Sequence, residues 1–341
     1  MIRHHSRGVA LITALLVVAV AVLAATALLT SANLAIRRTA ALRDTEQAWM
    51  LSRGIEAWIM EIIRQDDPAY DALDADNAWS RPVDYLPLDQ GFLRGRIVDQ
   101  QGLFNLNNLD RRLLPAQGQT SNDVYRLQFE RLLDQLLRKA DLRVPVQDLV
   151  PAIRDWMDAG QVPTFPGVED LTYLGLDPPY RTADRPFVAV SELRAVHGMT
   201  ADIYALLVTG CPLADDAPLQ PCVAALPFTG APGQPPAPTK VNVNTASRAL
   251  LMALSEKTDA AALDSFLADR VDKPATKDAD FLARGVYRDA LTEEKIPQQI
   301  SVQTAYFQIR GEIVVGSSRL PLYSLIGREP LRVIAHSAAE D

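Results

Sequence analysis

Asp155, Asp158, Glu169 and Asp170 stand around a loop shaped by Gly160, Pro163, Pro166 and Gly167. Carboxylate oxygens gathered on such a loop can hold Ca²⁺, a hard cation that takes about six to eight oxygen ligands. The same residues also read as a solvated acidic loop with helix-capping aspartates, and on residue types alone that plainer reading is the better one. Cys211 and Cys222, the only cysteines, flank a Pro- and Asp-rich stretch. They can close a small loop in an oxidising compartment or remain thiols in a reducing one. His197 and His336 have no ligand spacing to either cysteine, which argues against zinc. No nucleophile elbow, phosphate loop or metalloprotease helix is present, so the chain does not read as an enzyme. A formal net charge of -8, with acids spread along the chain, argues against a nucleic-acid groove.

The segment that positions everything else is the first. Val9 to Leu29 carries no charge and is dominated by Val, Ala and Leu, enough helix to cross a hydrocarbon core of about 30 Å. Arg3, His4, His5 and Arg7 precede it and keep that end cytoplasmic by the positive-inside rule, which puts the rest in the periplasm. A secretory signal has a shorter apolar run, and here the helical pattern continues. Leu51, Ile55, Ile59 and Ile62 recur at helical spacing until Asp66, Asp67 and Pro68 supply a stop. One helix over 9–64 would be about 80 Å long at 1.5 Å per residue. That suits a filament subunit, stored in the membrane by its first half (9–29) and carrying a globular head on its second. Trp49 and Trp58 on this helix read as packing residues.

Beyond the helix, Phe92 to Val98 reads as a strand, and the Asn-rich run that follows reads as turns. Far downstream, Phe307, Ile309, Gly311 and Ile313 alternate with polar residues, and Gly316-Ser317-Ser318 turns into Leu320 to Ile326. Leu331 to Ile334 gives one more strand. Between these ends the signal is helical, over Tyr125 to Lys139, Leu149 to Met157, Val190 to Val196 and near Tyr204. Leu226 to Lys240, rich in Pro and Gly, reads as a linker. The expectation is an α+β chain with a large helical insertion in a small antiparallel sheet. Its divisions are the first part of the sheet at 65–104, the insertion and linker at 105–239, and a return segment with closing strands at 240–341.

Arg7-Gly8-Val9-Ala10-Leu11-Ile12-Thr13-Ala14-Leu15-Leu16 is similar to a type IV prepilin processing site. That resemblance implies a leader of residues 1–8, a cut between Gly8 and Val9 by a prepilin peptidase, and methylation of the new terminus. Most such sequences carry Glu five residues after the cut, where this chain has Thr13. An intramembrane carboxylate is costly and is usually kept for a partner. Its absence resembles the minor pseudopilins of the general secretion pathway protein K family, as do Gly102-Leu103-Phe104-Asn105-Leu106-Asn107-Asn108-Leu109, Asp155-Trp156-Met157-Asp158, Glu169-Asp170, Pro178-Pro179-Tyr180-Arg181, Val190-Ser191-Glu192-Leu193 and Val241-Asn242-Val243-Asn244-Thr245-Ala246-Ser247, in family order.

The resemblance implies a pilin-like fold and a single-pass inner-membrane protein with a periplasmic head. It also implies a place at the pseudopilus tip with other minor pseudopilins, contact with secreted substrates, and a part in exporting folded proteins across the outer membrane. Calcium at the acidic loop belongs to the same inheritance, although Gly160 stands where the family loop has Asp, and Gln161 where it has Asn. The alternative is a minor pilin-like protein of a type IV pilus or DNA-uptake machine, which would call for a basic groove. Val241 to Ser247 also resembles the opening of DNA-binding helix-hairpin-helix modules, but Leu254 to Asp269 contains no glycine for the hairpin. A turn capping the helix from Arg248 to Leu254 is the reading retained.

Overall fold

A computed structural model describes residues 6–66, 69–74, 76–113, 123–213, 220–228, 236–288 and 295–337, without the side chains of 6–10 and 111. Arg3, His4, His5, the Asp67-Pro68 stop and the middle of the Pro/Gly-rich linker lie outside the described residues. The first part of the chain forms α1 (Ser6–Gln65), β1 (Val83–Leu88), β2 (Gly91–Asp99), β3 (Phe104–Asn105), α2 (Val124–Lys139), α3 (Val146–Met157), α4 (Asp170–Tyr173) and α5 (Ala201–Thr209). There follow β4 (Val223–Ala224), β5 (Val241–Asn242), α6 (Arg248–Ala253), α7 (Ala260–Asp269), α8 (Asp278–Leu282), α9 (Ile296–Gln299), β6 (Ile300–Ser301), β7 (Tyr306–Val315), β8 (Ser318–Arg328) and β9 (Leu331–Ser337).

Helix α1 runs unbroken for 60 residues. It contains no proline, and the hydroxyls of Thr26, Thr30 and Ser31 donate to carbonyls three or four residues earlier, so the apolar half leaves none of these three groups unbonded. Leu11 to Leu29 face outward and touch no other part of the described chain, and α1 is the one described helix long and apolar enough to cross a membrane. From Asp44 onward α1 packs on a five-stranded antiparallel sheet of order β1-β2-β7-β8-β9. Ala48, Ile55, Ile59 and Ile63 meet Leu93, Phe307, Ile309 and Ile313 in an apolar core. Ile63, rather than the expected Ile62, is the fully buried member of the last turn. Trp49 and Trp58 are 39% and 44% exposed, with Trp49 packed against the His336 ring, while Trp79 fills the core, its ring edge-on to Phe307. The hairpin of β7 and β8 is fastened to α1 at Gly316, where φ is +52° and a Cβ would stand 2.4 Å from Asp44. Strand β1 was not anticipated. Its Pro87 breaks strand patterning, and proline is tolerated there because β1 is an edge strand.

Strands β2 and β7 are neighbours in the sheet, so everything between them is inserted at one point. The inserted unit is helical with one continuous core, from Phe104 through Phe129, Trp156, Tyr173, Phe266 and Phe281 to Val302. The segment from 240, expected as a return to the sheet, packs into this helical core instead. Short helices α6 to α9 carry Leu250, Leu251, Leu263, Phe266 and Phe281 into it, and the sheet resumes only at Tyr306.

Side-chain amides do in the helical unit what ladders do in the sheet. Asn107 donates to the Phe187 and Leu226 carbonyls and accepts from the Phe187 N–H at 2.8 Å. Asn108 exchanges two bonds with the Thr239 backbone, and Asn105 with Leu226. The Asn-rich run forms a short 3₁₀ turn as expected, but its amides also staple three distant segments. Asn244 does the same with both backbone groups of Ala275. Asn242, Thr245 and the Gln101 N–H all bond the buried Asp99 at the junction of the two units. Burial dominates these bonds and pushes the Asp99 carboxyl up to about 6. Beside it, Arg328 forks onto Asp71 and reaches Asp66.

Candidate metal centre

Helix α3 ends in Asp155, Trp156 and Met157, with Asp158 as its C-cap. Its apolar face packs in the helical core, and that packing takes Asp155 fully out of solvent. The loop 159–168 then swings back over the helix end. Thr164 donates its N–H to Asp155 Oδ2 at 3.0 Å, and the Gly160 N–H donates to Asp158 Oδ1 at 2.6 Å. A Cβ at Gly167 would lie 2.0 Å from Asp155 Oδ2, so only glycine lets the loop come this close. Glu169 follows as the N-cap of α4, in extended backbone.

Oxygens of Asp155, Asp158 and Glu169 lie within 4.8 Å of one another. Glu169 is 4% exposed, and neither of its carboxyl oxygens has a hydrogen-bond partner among the described residues. Its burial, and next the charges of Asp155, Asp158, Asp184 and Asp170, push its carboxyl up to about 7. A buried carboxylate without donors is costly unless paired with a cation. The donor set is all oxygen, which matches Ca²⁺ or Mg²⁺ and not a thiophilic metal. On these grounds the residues fit a hard divalent ion.

Asp170 stands outside this trio. Its Oδ1 accepts from the Thr182 N–H and hydroxyl, and its Oδ2 from Arg181 at 2.9 Å. The Thr182 bonds, with Arg181, hold its carboxyl below the usual range. Asp170 therefore anchors the 181–182 segment beside the site. Residue types could not reveal this, because Glu169 and Asp170 are adjacent and only the α4 turn separates their directions. Asp184 was not singled out; it reaches the site's edge through a left-handed backbone at φ +51° and a bond from Thr182. Around the loop, Val162 and Phe165 are 82% and 94% exposed.

Cys211 and Cys222 are joined in a disulfide, both buried. The bond ties the end of α5 to β4, alongside backbone bonds from Cys211 to Gln220 and from Cys222 to Leu207. Gly8 and Val9 lie in the first turns of α1, and the Val9 side chain lies outside the described residues. Val241 to Ser247 spends its polar groups internally, with Ser247 capping α6 and Asn242, Asn244 and Thr245 buried in staples. Among the described residues no nucleophile–base pair accompanies the acidic trio.

Sequence profiles of type II secretion system (T2SS) protein K match residues 102–211 and 241–303. Type II secretion system protein K of Pseudomonas aeruginosa is 34% identical over 96% of this chain and 90% of its own length. That of Aeromonas hydrophila is 32% identical over 94% and 92%. A chain in the crystal structure of the GspK-GspI-GspJ complex from the enterotoxigenic Escherichia coli type 2 secretion system superposes with a TM-score of 0.71. It is 25% identical, and the match covers 89% of this chain and all of that one. The likeness to that chain extends over most of the fold, and the chain belongs to the type II secretion system protein K family.

Proposed function

We propose that this protein is a minor pseudopilin at the tip of the type II secretion pseudopilus. It would be anchored in the inner membrane by the first half of α1, with its head in the periplasm, and would serve the export of folded proteins across the outer membrane. The observation that carries the reading is α1 itself. It is a 60-residue helix whose first half presents bare apolar side chains while its second half is half-sheathed by the sheet. A secretory signal or a plain anchor has no use for that continuity. The helical unit grows from one point between β2 and β7, so it adds bulk to the head without interrupting the face that α1 uses. Thr13 in place of an intramembrane carboxylate fits a subunit with nothing stacked above it. Its partners are then other minor pseudopilins, as the relative in the GspK-GspI-GspJ complex supports. Coexpression with a prepilin peptidase tests the assignment. N-terminal sequencing should find Val9 first, and two further minor pseudopilins should copurify. Cleavage beyond Leu29, or a chain that purifies alone, would remove the reading.

The acidic trio is assigned to Ca²⁺. Asp155, Asp158 and Glu169 would supply carboxylate oxygens, and the ion would neutralise their mutual repulsion and fasten the end of α3 to the start of α4. Titration calorimetry of the chelator-treated protein tests this. Heat with Ca²⁺ but not with Mg²⁺, lost in Glu169→Gln, is expected; no heat at several millimolar Ca²⁺ returns the trio to a solvated acidic loop.

A further inference from the structure

Charge is divided along the length of this chain. Of 34 basic and 42 acidic residues, five arginines and no acid fall before Asp44, so the surplus of acid belongs to the head. Between Arg7 and Arg37, residues 8–36 hold no charged side chain. Both arginines lie on α1, 30 residues apart, which is about 45 Å of helix at 1.5 Å per residue. A bilayer is about 40–45 Å thick with its headgroup layers included, and an ordinary helix tilt of about 20° keeps the span within that range. Arg37 therefore reaches the periplasmic headgroup layer when the uncharged run is centred in the membrane. Arg38 lies beside it, and with Leu34 and Ala41 the two share one face of the helix, at spacings of three and four. Leu34 is 47% exposed, and Arg37 and Arg38 are exposed as well. Among the described residues neither arginine bonds or pairs with any group. The head first meets α1 beyond them, where Asp44 takes hold of Ser317.

We infer that Arg37 and Arg38 form a site for the phosphates of anionic lipid headgroups on the periplasmic side of the membrane. The inference rests on the proposed membrane anchor and names what fixes the depth of α1 in it. Arginine suits the ligand, because its planar fork pairs with phosphate oxygens while its stem lies along apolar surface. With residues 1–8 removed as proposed, these two become the first charged side chains of the chain. A second copy packed in register is disfavoured as the occupant, since no acid precedes Asp44 to meet the arginines. The same anionic surface that attracts them repels the acidic head, which holds the head off the membrane. Arg43 lies six residues beyond Arg37, about 9 Å further along α1, and so outside the headgroup layer.

The test places the full-length chain in phosphatidylcholine vesicles containing a minority of phosphatidylglycerol. Spin-labelled lipids then report which headgroup the protein retains at its surface. The leader arginines are common to every variant, so the loss on substitution is what is read. Arg37→Gln with Arg38→Gln should lower the preference for phosphatidylglycerol about fivefold or more, the effect of an arginine near a charged surface. Arg43→Gln should leave it unchanged. Glutamine forms helix about as well as arginine, and these side chains touch no other group among the described residues, so the fold is kept. An undiminished preference in the double variant overturns the inference, as does an equal loss in Arg43→Gln. A double variant that keeps its lipid preference but no longer copurifies with other minor pseudopilins assigns the arginines to a protein partner and overturns it too. A wild-type chain that does not enter the vesicles defeats the membrane assignment itself, which is a distinguishable failure.

Discussion

The sheet unit and the helical unit solve the same problem by different means. In the sheet, β2, β7 and β8 satisfy their backbone groups in long regular ladders, and α1 seals the apolar face with Ala48, Ile55, Ile59 and Ile63. Its polar ties to α1 are few, chiefly Asp44 to the hairpin and Ser324 with His336 to Glu56. Among the described residues the helical unit has only two-residue strands and many connecting segments, so most of its linking backbone has no ladder to join. Buried asparagines take the place of a strand there, each offering a donor and an acceptor with the geometry of a peptide group. A ladder tolerates substitution because its bonds belong to the backbone. A staple is lost with the side chain.

That contrast is open to direct attack. Asn107→Ala should be the most damaging change, because the N–H and carbonyl of Phe187 are left buried without a partner. At about 1–3 kcal/mol for each orphaned group, a loss of about 3–5 kcal/mol is expected in denaturant unfolding, with the amides of the helical unit exchanging first. A cost below about 1 kcal/mol would mean that water satisfies the segment and the staple is dispensable. Replacing Cys211 and Cys222 with serine comes next. Closing a loop of this length stabilises by about 3 kcal/mol in the chain-entropy model, and the loss should again fall on the helical unit, as melting with and without reductant would show.

The junction should respond to pH. Asp99, raised to about 6 from an ordinary 3.8, binds its proton more tightly when folded. Its contribution is therefore fully present below pH 3.8 and is lost as pH rises through about 6. Stability should fall by about 1–3 kcal/mol over that interval, and Asp99→Asn should flatten the slope. Calcium should matter somewhat less. At several millimolar ion and an affinity in the range of about 10⁻⁴ to 10⁻³ M, binding adds about 1–2 kcal/mol. Chelator should lower the melting temperature of the helical unit and leave the sheet unit unmoved. Ile309→Val should be the mildest, about 1 kcal/mol, and confined to the sheet. Were it to cost as much as Asn107→Ala, the two units would not differ in the way described.

Several features were legible because they are local. The charge-free run from Val9 and the helical spacing of Ile55 and Ile59 describe α1, since helical hydrogen bonds close within four residues. Alternation from Phe307 to Ile313 gave β7, and Gly316 its turn, because a strand's two faces repeat every second residue. The two cysteines could be paired once the N-terminus argued for an oxidising compartment. The acidic loop stood out by composition, yet composition could not separate Glu169 from Asp170. Which of two adjacent carboxylates turns inward depends on α4 and on Thr182 and Arg181, more than ten residues away.

The sequence by itself therefore determined the long N-terminal helix, four of the five strands of the sheet, the presence of an insertion between them and the carboxylates available to an ion. Tertiary structure alone decided that the described residues of 240–302 join the helical core, that the Asn-rich run staples as well as turns, that Asp170 stands apart from the acidic trio, and that Gly95 on β2 meets Gly311 on β7. Each of these is a contact between segments far apart in the chain, and periodicity carries no record of such pairings. They follow from which surfaces remain to be covered, and which buried polar groups remain to be bonded, once the local elements have formed.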